Sequence, residues 1–279
     1  MDIQWYPGHM TKSVRMMEEQ IALVDIVIEL LDARVPRSSK NPDIDRVSRN
    51  KKRILALNKS DLADKRVTDL WVEYYSKNNY SVLMIDSQSG DGFKKLAVMC
   101  MVLMSEKIER EQKRGRVFVP VRAMVAGIPN VGKSTFINRF VGKSPAKTAD
   151  KPGVTRGRQW IRMKHGFELL DTPGILWPKL DDPETGVNLA LTGAISGIIT
   201  DSVELCLLLI KALNVSYPNA LRERYGVEIA GGAPEVLEKI AKLRGYGKKA
   251  GEPDVERAAS AIINEFRAGK LGRVSLERP

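Results

Sequence analysis

Short apolar runs alternate with longer stretches of helical spacing over the first two thirds of the chain. The short runs are rich in β-branched and aliphatic residues, and most are continuously apolar, as in strands of a sheet covered on both faces. They predict strands at residues 24–31, 53–57, 81–85, 122–126, 159–163 and 167–170. The stretches between them predict helices at 11–23, 42–50, 67–79, 92–113 and 134–141. This alternation predicts an α/β fold with a doubly wound, mostly parallel sheet.

The pattern changes near residue 178. From residue 181 onward the apolar residues recur every three or four positions, with breaks at Pro218, 231–234 and 245–251. This spacing predicts a small all-α domain, so we divide the chain into residues 1–178 and 179–279. The apolar run at 203–215 is interrupted by Glu204 and Lys211 and is shorter than the ~20 residues of a membrane helix. We therefore expect a soluble protein without a membrane partner.

The N-terminus has neither the basic start nor the apolar core of a signal peptide, so we expect no export. The two cysteines, Cys100 and Cys206, stand apart in apolar stretches outside any Cys/His cluster. This arrangement supports neither a disulfide framework nor a zinc site, and it predicts a reducing, cytoplasmic setting.

The strongest chemical motif is the P-loop pattern GIPNVGKS at residues 127–134, placed after a predicted strand and before a predicted helix. Its glycines allow backbone N–H groups to surround phosphate oxygens, Lys133 reaches the β- and γ-phosphates, and Ser134 binds Mg²⁺. The alternative is a chance glycine turn, which the strand and helix on either side disfavour. The predicted phosphate-binding residues are Asn130, Val131, Gly132, Lys133, Ser134 and Thr135, with Lys133 also catalytic.

A second motif, NKSD at residues 58–61, follows another predicted strand and indicates the base. Asp61 can accept hydrogen bonds from the N1–H and 2-amino groups of guanine, which adenine lacks. Asn58 would hold the base edge and the neighbouring loop, and the Lys59 stem would cover the ring, with Ser60 between Lys59 and Asp61. Alone, such a tetrapeptide is more often a polar turn. Asp86 and Ser87, after the strand at 81–85, are weaker candidates for lining the base.

A third motif, DTPG at residues 171–174, also follows an apolar strand. Asp171 would hold the Mg²⁺ shell through a water molecule, and the Gly174 N–H would contact the γ-phosphate. Thr155, between this motif and the P-loop, is the candidate switch threonine, whose hydroxyl would complete the Mg²⁺ shell only with GTP bound. The alternative for Thr155 is a solvated loop residue.

These motifs resemble those of translation-factor-like GTPases, but NKSD precedes the P-loop, which is the order of a circularly permuted GTPase. More narrowly, the chain resembles the ribosome biogenesis GTPase A (YlqF) subfamily. The matching segments are WYPGHM at 5–10, DAR at 32–34, SKNP at 39–42, DTPGILWP at 171–178 and YPNALRERY at 217–225. The resemblance implies a permuted P-loop GTPase domain that hydrolyses GTP and assembles the large (50S) ribosomal subunit. It also implies a C-terminal helical domain that contacts ribosomal RNA.

Ile175 stands where many GTPases carry the glutamine that orients the attacking water, so we expect slow hydrolysis in isolation and stimulation by the ribosomal particle. The resemblance points to His9 as the catalytic group, although a structural histidine is equally consistent with the sequence. Asn130 resembles the asparagine of potassium-activated GTPases, which would add K⁺ to Mg²⁺ as a cofactor. Hydrogen bonding within its own loop is the alternative.

The chain carries a net charge of +11, and its location changes the expected RNA surface. Residues 113–168 contain 13 Lys and Arg against two Asp and Glu, whereas residues 179–279 contain 14 of each sign. We therefore expect the GTPase domain, including Arg156 and Arg158, to meet ribosomal RNA, and the helical domain to use a local patch at 244–249. Two alternatives are a GTPase for another RNA and a nucleotide-gated RNA-binding scaffold with vestigial hydrolysis. We expect a monomer.

Overall fold

The computed structural model describes residues 17–142, 159–162, 166–172, 182–195, 201–227, 231–248 and 252–279. Its six strands are β1 (Ile26–Asp32), β2 (Lys52–Asn58), β3 (Ser81–Met84), β4 (Val121–Gly127), β5 (Gln159–Arg162) and β6 (Phe167–Asp171). They form one sheet in the order β3-β2-β1-β4-β6-β5. Every pairing is parallel except that of β5 with β6. The predicted doubly wound, mostly parallel sheet is confirmed.

Ten helices of six or more residues lie in the described part of the chain. Five accompany the sheet: α1 (Pro42–Val47), α2 (Lys65–Lys77), α3 (Phe93–Leu103), α4 (Ser105–Lys113) and α5 (Lys133–Val141). Five follow it: α6 (Pro183–Thr192), α7 (Ser202–Ser216), α8 (Ala220–Tyr225), α9 (Ala233–Leu243) and α10 (Val255–Arg267). Residues 17–21 are also helical, in agreement with the described part of the predicted helix at 11–23. None of the described helices is long and apolar enough to cross a membrane.

The single helix predicted at 92–113 is wrong, because the structure has two helices that meet at Met104. Met104 has φ −104° and ψ 2°, which takes the backbone out of the α-helical region. The Ser105 hydroxyl donates to the Val102 carbonyl at 2.9 Å. Such a local side-chain bond competes with the helical ladder, and apolar spacing along the sequence does not reveal it.

Both faces of the sheet are buried. All seven residues of β1 are buried, and α2 covers one face with Val67, Trp71 and Tyr75. On the other face, the main core is continuous from the sheet into α6–α10, where Leu209 and Ile262 are fully buried. The helices that follow the sheet therefore belong to one apolar core with it.

The last residues of the chain return to the sheet. The Val274 N–H donates to the Leu62 carbonyl at 3.1 Å, and the Leu276 N–H donates to the Arg34 carbonyl at 2.9 Å. The buried Glu277 carboxylate accepts from the backbone N–H groups of Arg37 and Ser38. This C-terminal segment thereby ties the helical region to the loops that leave β1 and β2.

Candidate functional site

Three parallel strands end side by side at one edge of the sheet. In the register of the sheet, Asp32 of β1 lies opposite Asn58 of β2, and Leu30 of β1 lies opposite Gly127 of β4. Because parallel strands share their carboxyl edge, NKSD and the P-loop leave the sheet together although 65 or more residues separate them in the chain. The two motifs therefore converge at one edge of the sheet.

The P-loop curves around its own glycines. Gly127 has φ +149°, and a Cβ at this position would lie 2.7 Å from the Leu30 carbonyl oxygen. Gly132 has φ +103°, and its Cβ would lie 2.5 Å from Asn58 Nδ2. Both positions therefore require glycine for backbone conformation and for space. The loop ends at α5, whose N-terminus presents a partial positive charge toward the loop.

Lys133 and the two hydroxyl residues after it begin α5. The buried Lys133 ammonium donates to the Gly127 carbonyl at 3.0 Å and to the Ile128 carbonyl at 2.7 Å, which places it inside the loop. Ser134 is partly buried in the first turn of α5, and Thr135 is exposed. A cation enclosed by a loop of backbone groups suits the β- and γ-phosphates of a nucleotide.

Asn58 joins three segments of the site. Its Nδ2 donates to the Val131 carbonyl in the P-loop at 2.8 Å. Its Oδ1 accepts from the Ser87 N–H at 3.0 Å and from the Ser87 hydroxyl at 2.7 Å. Asn58 is buried, so these bonds fix the ends of β2 and β3 against the P-loop without help from solvent. The sequence predicted that Asn58 holds the base edge and the neighbouring loop, and these bonds are those of a residue that joins loops.

Lys59 makes the second bridge. It has φ +59°, and its ammonium donates to Asp32 Oδ2 at 3.0 Å and to the Asn130 carbonyl at 2.8 Å. Burial alone would raise the pKa of Asp32, but the Arg34 guanidinium and then the Lys59 ammonium hold it well below its usual range. The Lys59 stem is thus stretched across the edge between β1 and the P-loop, where it can cover a base.

A cavity of about 240 Å³ lies beside these residues, and we call it the base cavity after the guanine base predicted to bind there. Its lining includes Asp61 and Asp86, with Ser87, Gly132 and Thr135 adjoining. Burial, followed by the charge of Asp86, raises the pKa of Asp61. A partly buried carboxylate that faces a cavity beside the P-loop is suited to accept hydrogen bonds from the N1–H and amino groups of guanine.

Arg267 also lines this cavity, and sequence reasoning did not find it. It ends α10, more than 200 residues after Asp61, and its guanidinium donates to the Ala190 carbonyl at 2.7 Å and the Leu191 carbonyl at 3.0 Å. The Asn130 amide donates to the Gly193 carbonyl at 2.8 Å in the same turn. The end of α6 is therefore held from both the base cavity and the P-loop. No local signal in the sequence indicates this contact.

Several predicted site residues lie outside the described residues or next to them. His9, Thr155 and Gly174 lie outside the described residues, as do Arg156 and Arg158. Asp171 ends β6 and lies opposite Val125 of β4 in the sheet register, two positions before the P-loop begins. The Thr172 hydroxyl donates to the Val125 carbonyl at 2.6 Å, which fixes the end of β6 there. The DTPG segment thus starts at the same edge as the other two motifs.

Comparison with known proteins shows the family to which the chain belongs. The chain is 43% identical over 280 residues to ribosome biogenesis GTPase A of Bacillus cereus, covering 100% of this chain and 95% of the relative. The chain belongs to the ribosome biogenesis GTPase A family. A member from Thermotoga maritima is 34% identical over 99% of this chain and 95% of its own length.

Solved structures of the family have the same fold. GDP-bound TM YlqF superposes with a TM-score of 0.68 at 29% identity, covering 95% of this chain and 99% of that one. YlqF from T. maritima bound to GNP gives 0.67 at 31% identity, covering 96% and 98%. A family model described as a 50S ribosome-binding GTPase matches residues 122–237. The chain is therefore a GTPase with a permuted P-loop domain and a GTP-binding role in ribosome assembly, as the sequence predicted.

Gly132→Ala tests the close approach of the P-loop to Asn58. We expect GDP affinity to fall about tenfold or more, because the added Cβ displaces the Asn58 amide and φ +103° is strained for alanine. Gly142→Ala is the matched control, since Gly142 also has a positive φ of +78° but meets no described residue within 4 Å. Titration with a fluorescent GDP analogue measures both. Equal affinities in the two variants would contradict the role of this contact.

Proposed function

We propose that this GTPase acts on the large ribosomal subunit and binds ribosomal RNA in a nucleotide-dependent way. In this proposal residues 1–178 bind and hydrolyse GTP, and residues 179–279 provide RNA contacts. The descriptions of the matching family model and of the relatives favour a ribosomal partner. The observation that carries the nucleotide dependence is the direct contact of the helical region with both halves of the nucleotide site.

That contact has two parts. The end of α6 receives hydrogen bonds from Asn130 in the P-loop and from Arg267 at the base cavity. The C-terminal segment binds the Leu62 carbonyl, one residue after Asp61. A ligand that moves either loop must therefore break these bonds or move the bonded helices with the loop. GTP and GDP can thus favour different positions of the helical region. This linkage needs no long chain of intermediate residues.

The guanine nucleotide is proposed to lie across the edge of the sheet. Asp61 would accept from the base, with Asn58, Lys59 and Ser60 supporting its loop, and Asp86 and Ser87 would close the far side. The phosphates would lie in the P-loop against the Lys133 ammonium and the N–H groups of residues 130–135. The Gly174 N–H would meet the γ-phosphate.

The motif residues, together with Thr155, would also suit Mg²⁺. The candidate ligands are the hydroxyls of Ser134 and Thr155 and, through water, the Asp171 carboxylate, and such all-oxygen ligands are those that Mg²⁺ prefers. Among the described residues, no three His, Cys, Asp or Glu side chains form a metal site of their own. This is expected where substrate phosphates supply part of the shell. When bound, the ion would neutralise charge on the β- and γ-phosphates.

For hydrolysis we propose that Lys133 stabilises the transferring phosphate, while the water is oriented by a group other than Ile175. His9 is our candidate for that group. We also propose that K⁺ binds beside Asn130. The Asn130 side-chain N–H₂ donates to the Gly193 carbonyl, and the side-chain oxygen of Asn130 would face the ion. Hydrolysis by the isolated chain is expected to be slow, since the aliphatic Ile175 side chain cannot position water.

Parallel hydrolysis assays test the partner. We expect large subunits to accelerate phosphate release by about tenfold or more, which requires only ~1.4 kcal/mol of extra transition-state stabilisation. Small subunits and tRNA should leave the rate unchanged. Lys133→Ala is the control that assigns the released phosphate to this protein.

Equal stimulation by tRNA would favour a GTPase for another RNA and contradict the proposal. Binding to large subunits without any stimulation would favour the scaffold with vestigial hydrolysis. Cosedimentation with large subunits in GDP and in a non-hydrolysable GTP analogue measures the nucleotide dependence separately, and identical binding in both states would contradict it.

A further inference from the structure

Two cavities meet at Tyr80, away from the nucleotide site. The larger, about 570 Å³, lies where β2 and β3 begin, beside Lys52 and Ser81. The smaller, about 280 Å³, runs along α2 beside Tyr74. We call the two together the Tyr80 groove, and its defining residues are Arg37, Lys40, Arg49, Lys52, Tyr74 and Tyr80. Lys52 and Asn58 stand at opposite ends of β2, which at ~3.3 Å per residue separates the larger cavity from the base cavity by about 20 Å.

The lining of the groove is strongly cationic. Asp45 is the one carboxylate in its lining among the described residues. Six of its side chains carry a positive charge: Arg37, Lys40, Arg49, Lys51, Lys52 and Arg53. Asp45 already pairs with Lys40 and Arg53, Arg53 also pairs with the buried Glu29, and Arg37 lies 3.8 Å from the Glu184 carboxylate. Within the described part of the chain, the exposed Arg49 and Lys52 form no ion pair. The groove therefore presents unbalanced positive charge to solvent, which suits a polyanion.

The aromatic side chains of the groove are held rigidly. Tyr74 is 46% exposed, and its ring lies edge-on to Trp71 and to Tyr75, with ring centroids 5.4 Å apart in each pair. Trp71 is buried and its Nε1–H donates to the Glu277 carbonyl at 3.3 Å. The Tyr75 hydroxyl donates to the Pro36 carbonyl at 3.2 Å. Tyr74 is therefore an exposed ring on a rigid support. Because its side chain is already ordered, it loses little conformational entropy when a ligand stacks on it.

Tyr80 connects the aromatic and cationic parts. Its ring centroid lies 5.9 Å from that of Tyr75, while Lys40 Nζ lies 5.1 Å and Arg53 Cζ lies 5.4 Å from the Tyr80 ring. Alternating aromatic rings and cations along one groove is the arrangement by which proteins bind unpaired nucleotides, since bases stack on the rings while phosphates meet the cations. Duplex RNA would use the charges but not the rings.

We propose that the Tyr80 groove binds single-stranded RNA, with Arg49 and Lys52 on the phosphates and a base stacked on Tyr74. The choice of RNA over other polyanions rests on the proposed ribosomal function. The groove would add an RNA contact in the GTPase domain, separate from the helical region and from the basic segment at 113–168.

Binding of a labelled 12-nucleotide oligouridylate to the GDP-loaded full chain tests the proposal. We expect Tyr74→Ala to weaken binding by about 5- to 150-fold, the range for one stacked base, and Tyr74→Phe to bind like the wild type. The double variant Arg49→Glu/Lys52→Glu should also bind more weakly, with a slope of log affinity against log salt about 1.4 smaller in magnitude. Lys94→Glu/Lys95→Glu, which changes the same charge at two exposed lysines of α3, should retain wild-type affinity.

Three results would overturn the proposal. The first is that Tyr74→Ala binds the oligouridylate with wild-type affinity. The second is that a 12-base-pair RNA duplex binds as tightly as the oligouridylate and that its affinity does not depend on Tyr74. The third is that UMP competes fully with the oligouridylate at the same affinity, which would indicate a mononucleotide site. Unchanged GDP affinity in each variant confirms that the fold is intact. Because the assay contains no ribosomal particle, failed stimulation by large subunits would contradict the proposed function while leaving this test unaffected.

Discussion

Asp61→Asn is expected to change the preferred base from guanine to xanthine. The asparagine amide cannot accept from both the N1–H and the 2-amino group of guanine, and each lost charged hydrogen bond costs about 1.5–3 kcal/mol. GDP affinity should therefore fall about 10- to 150-fold per lost bond. Xanthine carries a carbonyl in place of the amino group, to which the amide N–H₂ can donate. Titration with GDP and with xanthosine diphosphate measures the exchange.

Asp86→Asn is the matched control for base selection, because Asp86 lines the same cavity. The Asp86 carboxylate accepts from the backbone N–H groups of Gln88 at 2.7 Å and Ser89 at 3.2 Å, so it shapes its own loop. Its variant should weaken both nucleotides without reversing their order. If Asp61→Asn kept the wild-type preference for GDP, the assignment of Asp61 to the base would be wrong.

Arg34→Met is expected to lower the free energy of unfolding by about 3–5 kcal/mol, the usual cost of removing one partner from a buried ion pair. Arg34 is 1% exposed, and its Nε and Nη2 donate to the two oxygens of Asp32 at 2.9 and 2.8 Å. Its guanidinium also lies 5.2 Å from the Phe266 ring centroid in α10. The variant leaves Asp32 buried with Lys59 as its remaining cation. Urea unfolding at pH 7 measures the loss.

Arg46→Met is the control for that loss, since Arg46 is 54% exposed and pairs with Glu18 at 3.1 Å on the surface. It should cost about 0–1 kcal/mol. Because the pKa of Asp32 is lowered in the folded state, its stabilisation is present above about pH 4 and is lost as the pH falls toward the lowered pKa. The difference between wild type and Arg34→Met should therefore shrink in acid. If both arginine variants lost the same free energy of unfolding, the buried pair would contribute no more to stability than the surface pair.

The sequence by itself determined the sheet and the order of the three motifs, and it predicted the chemistry of each motif. Continuous apolar runs such as that of β1 specify strands because both faces must be buried, and GKS after a strand specifies a phosphate loop because local backbone geometry suffices. NKSD before the P-loop indicated the permuted order without any structure, because strand ends meet at one edge whatever their order in the chain.

Only the tertiary structure decided which distant groups complete the site. Arg267 reaches the base cavity, Asn58 bonds the P-loop, and the C-terminal segment binds the loop after Asp61 across more than 200 residues. The Tyr80 groove likewise joins cations from the loop before β2 and from the start of β2 to the Tyr74 ring of α2 and the Tyr80 ring before β3. A hydrophobic pattern encodes which face of an element is buried, but the partner of that face depends on how the whole core packs, and that information is spread over the entire chain.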